Sequence, residues 1–153
     1  MVAVRRLPGS YWLSFQFREL KDQLVLAAKL KHSNIVPLLG ICLDQREKLL
    51  VHEYLPNPSL HTILLAIFNK QRHLDWENRR SIIRGIASGL LYLHQDSGLR
   101  INYKGVLRAS KILVDDDMNP KILDAGIPPP NTDGRCVAMP DNIWYGTSGT
   151  KDQ

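Results

Sequence analysis

The residues best suited to chemistry lie in the stretch 101–126, which reads INYKGVLRASKILVDDDMNPKILDAG. It ends in Asp124-Ala125-Gly126, an acidic residue followed by a small residue and a glycine. A carboxylate in such a place can bind a hard cation such as Mg²⁺, and it can equally be a polar residue of a tight turn. The residues alone leave both roles open.

Histidine and cysteine chemistry receives little support from the rest of the chain. The five histidines have no spacing typical of zinc ligands. The two cysteines, Cys42 and Cys136, are too few for a disulfide framework or a metal quartet, so we expect reduced thiols. Cys42 lies in an apolar run and is expected to be a small core residue.

The first half of the chain has the periodicity of alternating strand and helix. Val2–Leu7 is typical of a short strand, and apolar residues from Phe17 recur at helical spacing until about His32. The runs 35–42 and 48–54, on either side of a polar turn, predict an antiparallel hairpin.

The second half is predicted to be mainly helical. Ser59 is expected to cap a helix that runs through Phe68, and Asp75 a longer one with Arg79, Arg80 and Arg84 facing outward. Two short strands are predicted around the turn 115–119. Residues 128–153 are rich in Pro, Asn, Thr, Asp and Gly without periodicity, which predicts a mostly disordered tail. The fold class is therefore α+β.

Composition narrows the function classes. A net charge of +5 over 153 residues is ordinary for a soluble surface, and the dispersed Lys and Arg residues do not favour nucleic-acid binding. The apolar runs are shorter than the roughly 20 residues that a membrane helix needs, and the N-terminus does not resemble a signal peptide. We therefore expect a cytoplasmic protein without a membrane segment.

Several phrases, in order, resemble the plant receptor-like serine/threonine protein kinases, particularly the cysteine-rich and lectin-type branches. They are VAVRRL at 2–7, AKLKHSNIV at 28–36, LVHEYLPN at 50–57, GLLYLH at 89–94 and DDDMNPKI at 115–122, and 101–126 has the outline of the catalytic segment. The resemblance covers roughly residues 1–127. It implies a partial kinase-like fold, with an N-lobe remnant at 1–53 and part of the C-lobe at 54–127.

The resemblance also implies phosphoryl transfer, but the positions that hold the phosphates are altered. The family's glycine-rich loop would precede Val2. Arg5 stands where the family has its strand lysine, and the planar guanidinium fits a lysine site poorly. The helix glutamate that pairs with that lysine is replaced by Gln23, although Glu19, one turn earlier, is an alternative partner for Arg5.

The catalytic and metal-binding positions differ further. Depending on the alignment, the catalytic aspartate falls at Gly105 or Val106, and neither can accept a proton. Lys111 replaces the metal-binding asparagine and cannot coordinate a cation. Asp124 matches the aspartate of the D-F-G turn and is the remaining candidate metal ligand. Ala125 replaces the phenylalanine, which predicts a void or a shifted turn.

The adenine side of the site is better preserved. Ala3, Glu53, Leu55 and Leu113 match family positions that surround adenine or offer hinge groups, and His52 falls at the gatekeeper position. Together with Arg5 these residues are the candidate cofactor-binding set, although apolar residues here are also explained as core. ATP and Mg²⁺ are expected to bind weakly, because most phosphate contacts are missing.

The preferred hypothesis is a catalytically impaired kinase-like (pseudokinase) module that acts by binding, with a receptor-like kinase relative as a candidate partner. The alternatives are a weakly active, ATP-binding serine/threonine kinase and a truncated remnant without function. A later central helix normally covers the kinase C-lobe. Without it, Ile86, Leu90 and Leu93 are expected to be partly exposed, as a binding surface or a liability.

Overall fold

The described part of the chain begins and ends with a strand, and three helices and four further strands lie between them. A computed structural model describes residues 1–7, 17–44, 47–70, 73–97, 107–127 and 143–146. The strands are β1 Val2–Arg6, β2 Leu38–Leu43, β3 Lys48–Glu53, β4 Ile112–Val114, β5 Pro120–Ile122 and β6 Ile143–Gly146. The helices are α1 Phe17–Ala27, α2 Leu60–Phe68 and α3 Trp76–Leu91, with a π-helical turn Tyr92–Asp96 and a 3-10 turn Ala109–Lys111. The predicted α+β class is confirmed.

The predicted hairpin of β2 and β3 is present, but its first strand begins later than expected. β3 pairs antiparallel with β2 on one side and with β1 on the other. The residues before β2 bond elsewhere: Ile35 forms a parallel bridge with Ile122, and Val36 donates its backbone N–H to the Ile122 carbonyl at 3.0 Å. The predicted strand 35–42 is thus shared between the sheet and the β4–β5 hairpin.

The strand β6 lies in the segment for which the sequence predicts disorder. It pairs antiparallel with β1, with Arg5 opposite Ile143 and Val2 opposite Gly146, so the sheet order is β2-β3-β1-β6. The open edge of β1 presents unpaired backbone groups, which a strand from a distant segment can satisfy. The disorder prediction differs from the structure at these four residues. The rest of 128–153 lies outside the described residues.

The helix α1 ends earlier than its periodicity predicts. After Ala27 the backbone tightens: Lys29 donates to the Leu26 carbonyl and Leu30 to the Ala27 carbonyl, which are bonds across three residues instead of four. Side chains of α1, of the sheet and of two residues outside these elements, Leu7 and Ile127, form one buried cluster. Its members are Leu7, Leu20, Leu24, Ala27, Leu38, Leu50 and Ile127.

Both predicted helix caps are confirmed. The Ser59 side chain accepts a hydrogen bond from the Thr62 backbone N–H at 3.4 Å, and α2 ends at Phe68 as predicted. The Asp75 carboxylate accepts from the Asn78 N–H at 2.7 Å at the start of α3. The outward orientation of Arg79, Arg80 and Arg84 is also confirmed.

The helix α3 packs directly on the β4–β5 hairpin through glycines. A Cβ atom at Gly85 would lie 2.5 Å from the Pro120 Cγ atom, and one at Gly89 would lie 2.9 Å from the Ile122 Cδ1 atom. The hairpin predicted around 115–119 is present, with Val114 opposite Pro120. Its turn is held by Asp115, whose side chain accepts from the backbone N–H groups of Asp117 and Asn119.

Three apolar residues of α3 and the π-helical turn were predicted to be partly exposed, and the structure confirms this for two of them. Ile86 and Leu90 are half-buried, but Leu93 is 2% exposed, because it packs with Leu30, Ile35, Ile112 and Ile122. The expectation was therefore wrong for Leu93.

Two further observations concern the chain's surface. Cys42, expected in the core, is exposed on β2; β2 is an edge strand of the sheet, so the apolar run around this residue is covered on fewer sides. Among the described residues, no helix has the length and apolar content needed to cross a membrane.

Candidate functional site

The carboxylate of Asp124 joins two cations from distant parts of the chain. Arg5 Nη1 lies 2.5 Å from Asp124 Oδ2, and Lys111 Nζ lies 2.5 Å from the same oxygen. The Arg5 and Asp124 side chains are only 7% and 10% exposed, and that of Lys111 is 20% exposed. We call Arg5, Lys111 and Asp124 the ion-pair cluster.

Backbone conformation places Asp124 in the cluster. Asp124 has a φ of 60° and Gly126 a φ of 77°, so the chain turns through the left-handed region immediately after β5. Aspartate tolerates this region better than most residues and glycine does so without cost. The Leu123 backbone N–H donates to the Lys111 carbonyl at 2.8 Å, which aligns the residue before Asp124 with Lys111.

The residue after Asp124 is part of the core. Ala125 is 5% exposed and belongs to the cluster around Leu30, Ile35 and Leu93. A small side chain at this position is thus enclosed by the residues that support the turn. The backbone of the turn is held as well, since the Ile127 N–H donates to the Asp124 carbonyl at 3.1 Å.

His52 lies behind the ion-pair cluster, and it is neutral at pH 7. Its Nε2 atom is 3.6 Å from Asp124 Oδ1, and its side chain is 4% exposed. Burial lowers the pKa of His52 to about 4. The negative charge of Asp124 acts in the opposite direction and raises this pKa, while the positive charge of Arg5 lowers it further. The contact with Asp124 is therefore not an ion pair at neutral pH.

Asp124 itself stays ionised. Burial alone would raise the pKa of Asp124, but the charges of Arg5 and Lys111 outweigh burial and hold the pKa below its usual value. A carboxylate that is ionised and buried must be paired, and the cluster supplies two partners for its Oδ2 atom.

A cleft of about 320 Å³ lies between the sheet and α2. Every predicted cofactor-binding residue lines it: Ala3, Arg5, His52, Glu53, Leu55 and Leu113. The structure adds polar residues that the sequence did not indicate as site residues, namely Asn57, Ser59, Thr62 and Ser110. Ser59 was predicted only as a helix cap, because a capping pattern does not reveal which surface the helix end faces.

Four further predicted positions concern the catalytic base and the partner of Arg5. Gly105 and Val106, the candidate base positions, lie outside the described residues. Gln23 is half-buried on α1, and the side chain of Glu19, the alternative partner of Arg5, is also outside what the structure describes. Among the described side chains Arg5 forms an ion pair with Asp124. The pairing of Arg5 with Glu19 stays a prediction.

The ion-pair cluster is a poor fit for Mg²⁺. Magnesium requires several oxygen ligands in near-octahedral geometry. Here Asp124 Oδ2 is shared by two cations and Oδ1 faces His52, while the neighbouring Lys111 repels a metal. Within the described residues, no group of three or more His, Cys, Asp or Glu side chains could hold a metal ion. The metal-binding role of Asp124 stays a prediction that this arrangement does not favour.

The model of the family "Protein tyrosine and serine/threonine kinase" matches residues 1–136 of the chain. Cysteine-rich receptor-like protein kinase 6 of Oryza sativa subsp. japonica is 54% identical over 71% of this chain and 15% of its own length. Putative cysteine-rich receptor-like protein kinase 32 of Arabidopsis thaliana is 48% identical over 82% of this chain and 20% of its own length.

A lectin-type relative is similarly close in sequence, and it too is matched over a small part of its own length. G-type lectin S-receptor-like serine/threonine-protein kinase B120 of Arabidopsis thaliana is 49% identical over 82% of this chain and 14% of its own length. The chain thus spans a fifth or less of the curated relatives it matches. Both predicted branches appear among these relatives, which confirms the resemblance and the partial kinase-like fold. The chain therefore belongs to the protein tyrosine and serine/threonine kinase family, within which its relatives are the receptor-like kinases of plants.

Proposed function

We propose that this chain is a catalytically impaired protein-kinase-like module that acts by binding and does not transfer phosphate. The observation that carries the proposal is the ion-pair cluster, in which Arg5 and Lys111 both contact Asp124 Oδ2. In an active kinase this carboxylate holds a metal ion and the strand cation holds phosphates. Here the two groups neutralise each other.

The chemistry of phosphoryl transfer supports the same conclusion. The reaction depends on positioned metal and phosphates and on a base directed at the substrate hydroxyl. The sequence has Gly105 and Val106 where the base is expected, and neither side chain accepts a proton. Catalytic groups that act as a unit leave little rate when several are altered.

Nucleotide binding, if retained, is weak in this proposal. The cleft keeps its predicted lining residues, and its volume of about 320 Å³ is near the lower end of small-molecule sites, which run from roughly 300 Å³. The guanidinium of Arg5, which matches the family's phosphate-binding position, is directed at Asp124.

The proposed partner is a receptor-like kinase relative. Large apolar side chains of α2 and α3 are exposed and suit a protein contact better than solvent. They are Leu64, Leu65, Phe68, Trp76, Ile83 and Leu91. The exposure of these apolar side chains supports a binding role. The family of the relatives suggests that the partner is a receptor-like kinase.

The test is a radiometric phosphotransfer assay on the purified chain with Mg²⁺-ATP and with Mn²⁺-ATP. We expect no transfer above background. Turnover that is lost in Asp124→Ala, but retained in the matched Asp116→Ala at an exposed position of the β4–β5 turn, would establish the alternative of a weak kinase.

A thermal melt distinguishes the module from a remnant. A cooperative transition shows a folded protein that can bind. The absence of any cooperative transition, even with a receptor-like kinase domain added, would contradict the proposal and support a remnant without function.

A further inference from the structure

We infer that Lys111 is a tethered cation that takes the place of the metal ion, so that the cleft binds nucleotide in its metal-free form. The inference rests on the proposed function as a binding module, and it adds which form of the ligand the site accepts. It follows from the position of the Lys111 ammonium, the charge around Asp124 and the way the backbone holds both residues.

The ammonium of Lys111 is fixed next to Asp124 by the fold. Its Nζ atom lies 2.5 Å from Asp124 Oδ2. The Lys111 backbone N–H donates to the Arg108 carbonyl at 2.9 Å, and the Lys111 carbonyl accepts from Leu123 at 2.8 Å. Lys111 is therefore anchored on both sides of its Cα atom, directly across from the residue that precedes Asp124.

The local charge disfavours a divalent cation. Arg5 and Lys111 bring two positive charges to the single carboxylate of Asp124, and the neighbouring His52 is neutral. In this half-buried place each charge acts strongly on its neighbours. A divalent cation would meet repulsion where the family presents ligands, whereas the phosphates of a metal-free nucleotide would meet attraction.

The cleft reaches the ion-pair cluster through Arg5. Arg5 and His52 line both the cleft and the surroundings of Asp124, and Ser110, next to Lys111, lines the cleft as well. Phosphates of a nucleotide whose base lies near Leu55 and Leu113 would thus extend toward Ser110 and the cationic end. Binding here gains nothing from Mg²⁺, because the site already carries its cation.

The test compares ATP binding by the purified full chain in Mg²⁺ and in EDTA, by isothermal titration calorimetry. For the unaltered chain we expect ATP to bind at least as tightly in EDTA as in Mg²⁺. For Lys111→Asn, which removes the cation and supplies an amide oxygen, we expect Mg²⁺ to tighten ATP binding on the order of tenfold or more. The matched control is Lys121→Asn, a partly buried lysine on β5 whose ammonium lies 3.8 Å from Glu53 Oε2.

A second readout does not depend on nucleotide. Electron paramagnetic resonance of added Mn²⁺ should show free ion with the unaltered chain and with Lys121→Asn, and bound ion with Lys111→Asn. Circular dichroism checks that each variant is folded.

Each outcome decides the inference. Tighter ATP binding in Mg²⁺ by the unaltered chain, or no ATP binding under either condition, would overturn it. A folded Lys111→Asn without any metal effect would overturn it also. If Lys111→Asn does not fold, the Mg²⁺ and EDTA comparison on the unaltered chain decides alone. Phosphotransfer is measured separately, so a metal-dependent but inactive chain would refute this inference and leave the proposed function intact.

Discussion

Arg5 Nη1 lies 2.5 Å from Asp124 Oδ2 across 119 residues of sequence. The pair joins the first strand of the sheet to the turn that follows the β4–β5 hairpin. Because both side chains are buried, the interaction is a structural link between the two halves of the chain. We therefore expect Arg5 and Asp124 to contribute to the stability of the folded chain.

Replacement of Asp124 should therefore destabilise the protein strongly. Asp124→Asn leaves Arg5 and Lys111 without their shared charge partner, and loss of one member of a buried pair costs about 3–5 kcal/mol. The partial exposure of Lys111 places the expected loss near the lower end. The loss is measured as the change in unfolding free energy in urea.

The control is the exposed pair of Arg80 and Glu77, whose side chains are 47% and 71% exposed. Glu77→Gln should cost less than about 1 kcal/mol, since solvent screens such pairs. Equal losses in the two variants would show that the buried cluster does not link the two halves.

His52 should make the protein sensitive to mild acid. Its pKa is about 4 in the folded protein and 6.5 when unfolded. Below pH 6.5 the unfolded chain gains a proton that the folded chain does not, so stability present above 6.5 falls as the pH approaches 4. The expected loss over that window is about 3 kcal/mol.

The measurement is urea unfolding at several pH values between 4 and 7, compared with His52→Gln, which cannot take up a proton there. The variant should show a clearly flatter profile in this window. His61→Gln, at an exposed position, should keep the profile of the unaltered chain. A His52→Gln profile as steep as the original would assign the acid sensitivity to other groups.

The contact between α3 and the hairpin should not tolerate a side chain at Gly85. In Gly85→Ala the new methyl group would lie 2.5 Å from the Pro120 Cγ atom and 2.7 Å from the Asn34 Nδ2 atom. Overpacking of this kind costs about 1–3 kcal/mol, and a contact as short as 2.5 Å places the cost in the upper part of that range, above the roughly 1 kcal/mol that alanine gains over glycine in a helix. We expect a net loss of stability and a lower Tm.

Arg84→Ala, at the exposed neighbouring position, is the matched control and should change Tm little. A Gly85→Ala variant as stable as the original would mean that helix and hairpin can separate at no cost.

The two helix caps should differ in their contribution. Asp75 accepts from Asn78 at 2.7 Å, whereas Ser59 accepts from Thr62 at 3.4 Å. Asp75→Ala should therefore cost about 1 kcal/mol and Ser59→Ala distinctly less, as measured by urea unfolding. A larger loss for Ser59→Ala would indicate that its position at the cleft matters more than its capping bond.

Interactions between residues close together in the chain could be predicted from the sequence. The caps Ser59 and Asp75, the end of α2 at Phe68 and the turn after Val114 each depend on bonds that span a few residues, so the local pattern specifies them. The residue types at Gly105, Val106 and Lys111 are likewise read directly from the sequence, while their match to the base and metal positions of the family stays a prediction.

Contacts between segments that are distant in the chain could not be predicted from the sequence in this way. Asp124 was predicted as a metal ligand, yet it forms an ion pair with Arg5 from the other end of the chain. Leu93 was expected to be partly exposed, yet it is buried, and β6 pairs with β1 from a distant segment. A charge or an open strand edge specifies that a partner is needed, but several segments can supply one. The packing of the whole chain selects among them, because the partner is the group that folding brings within bonding distance.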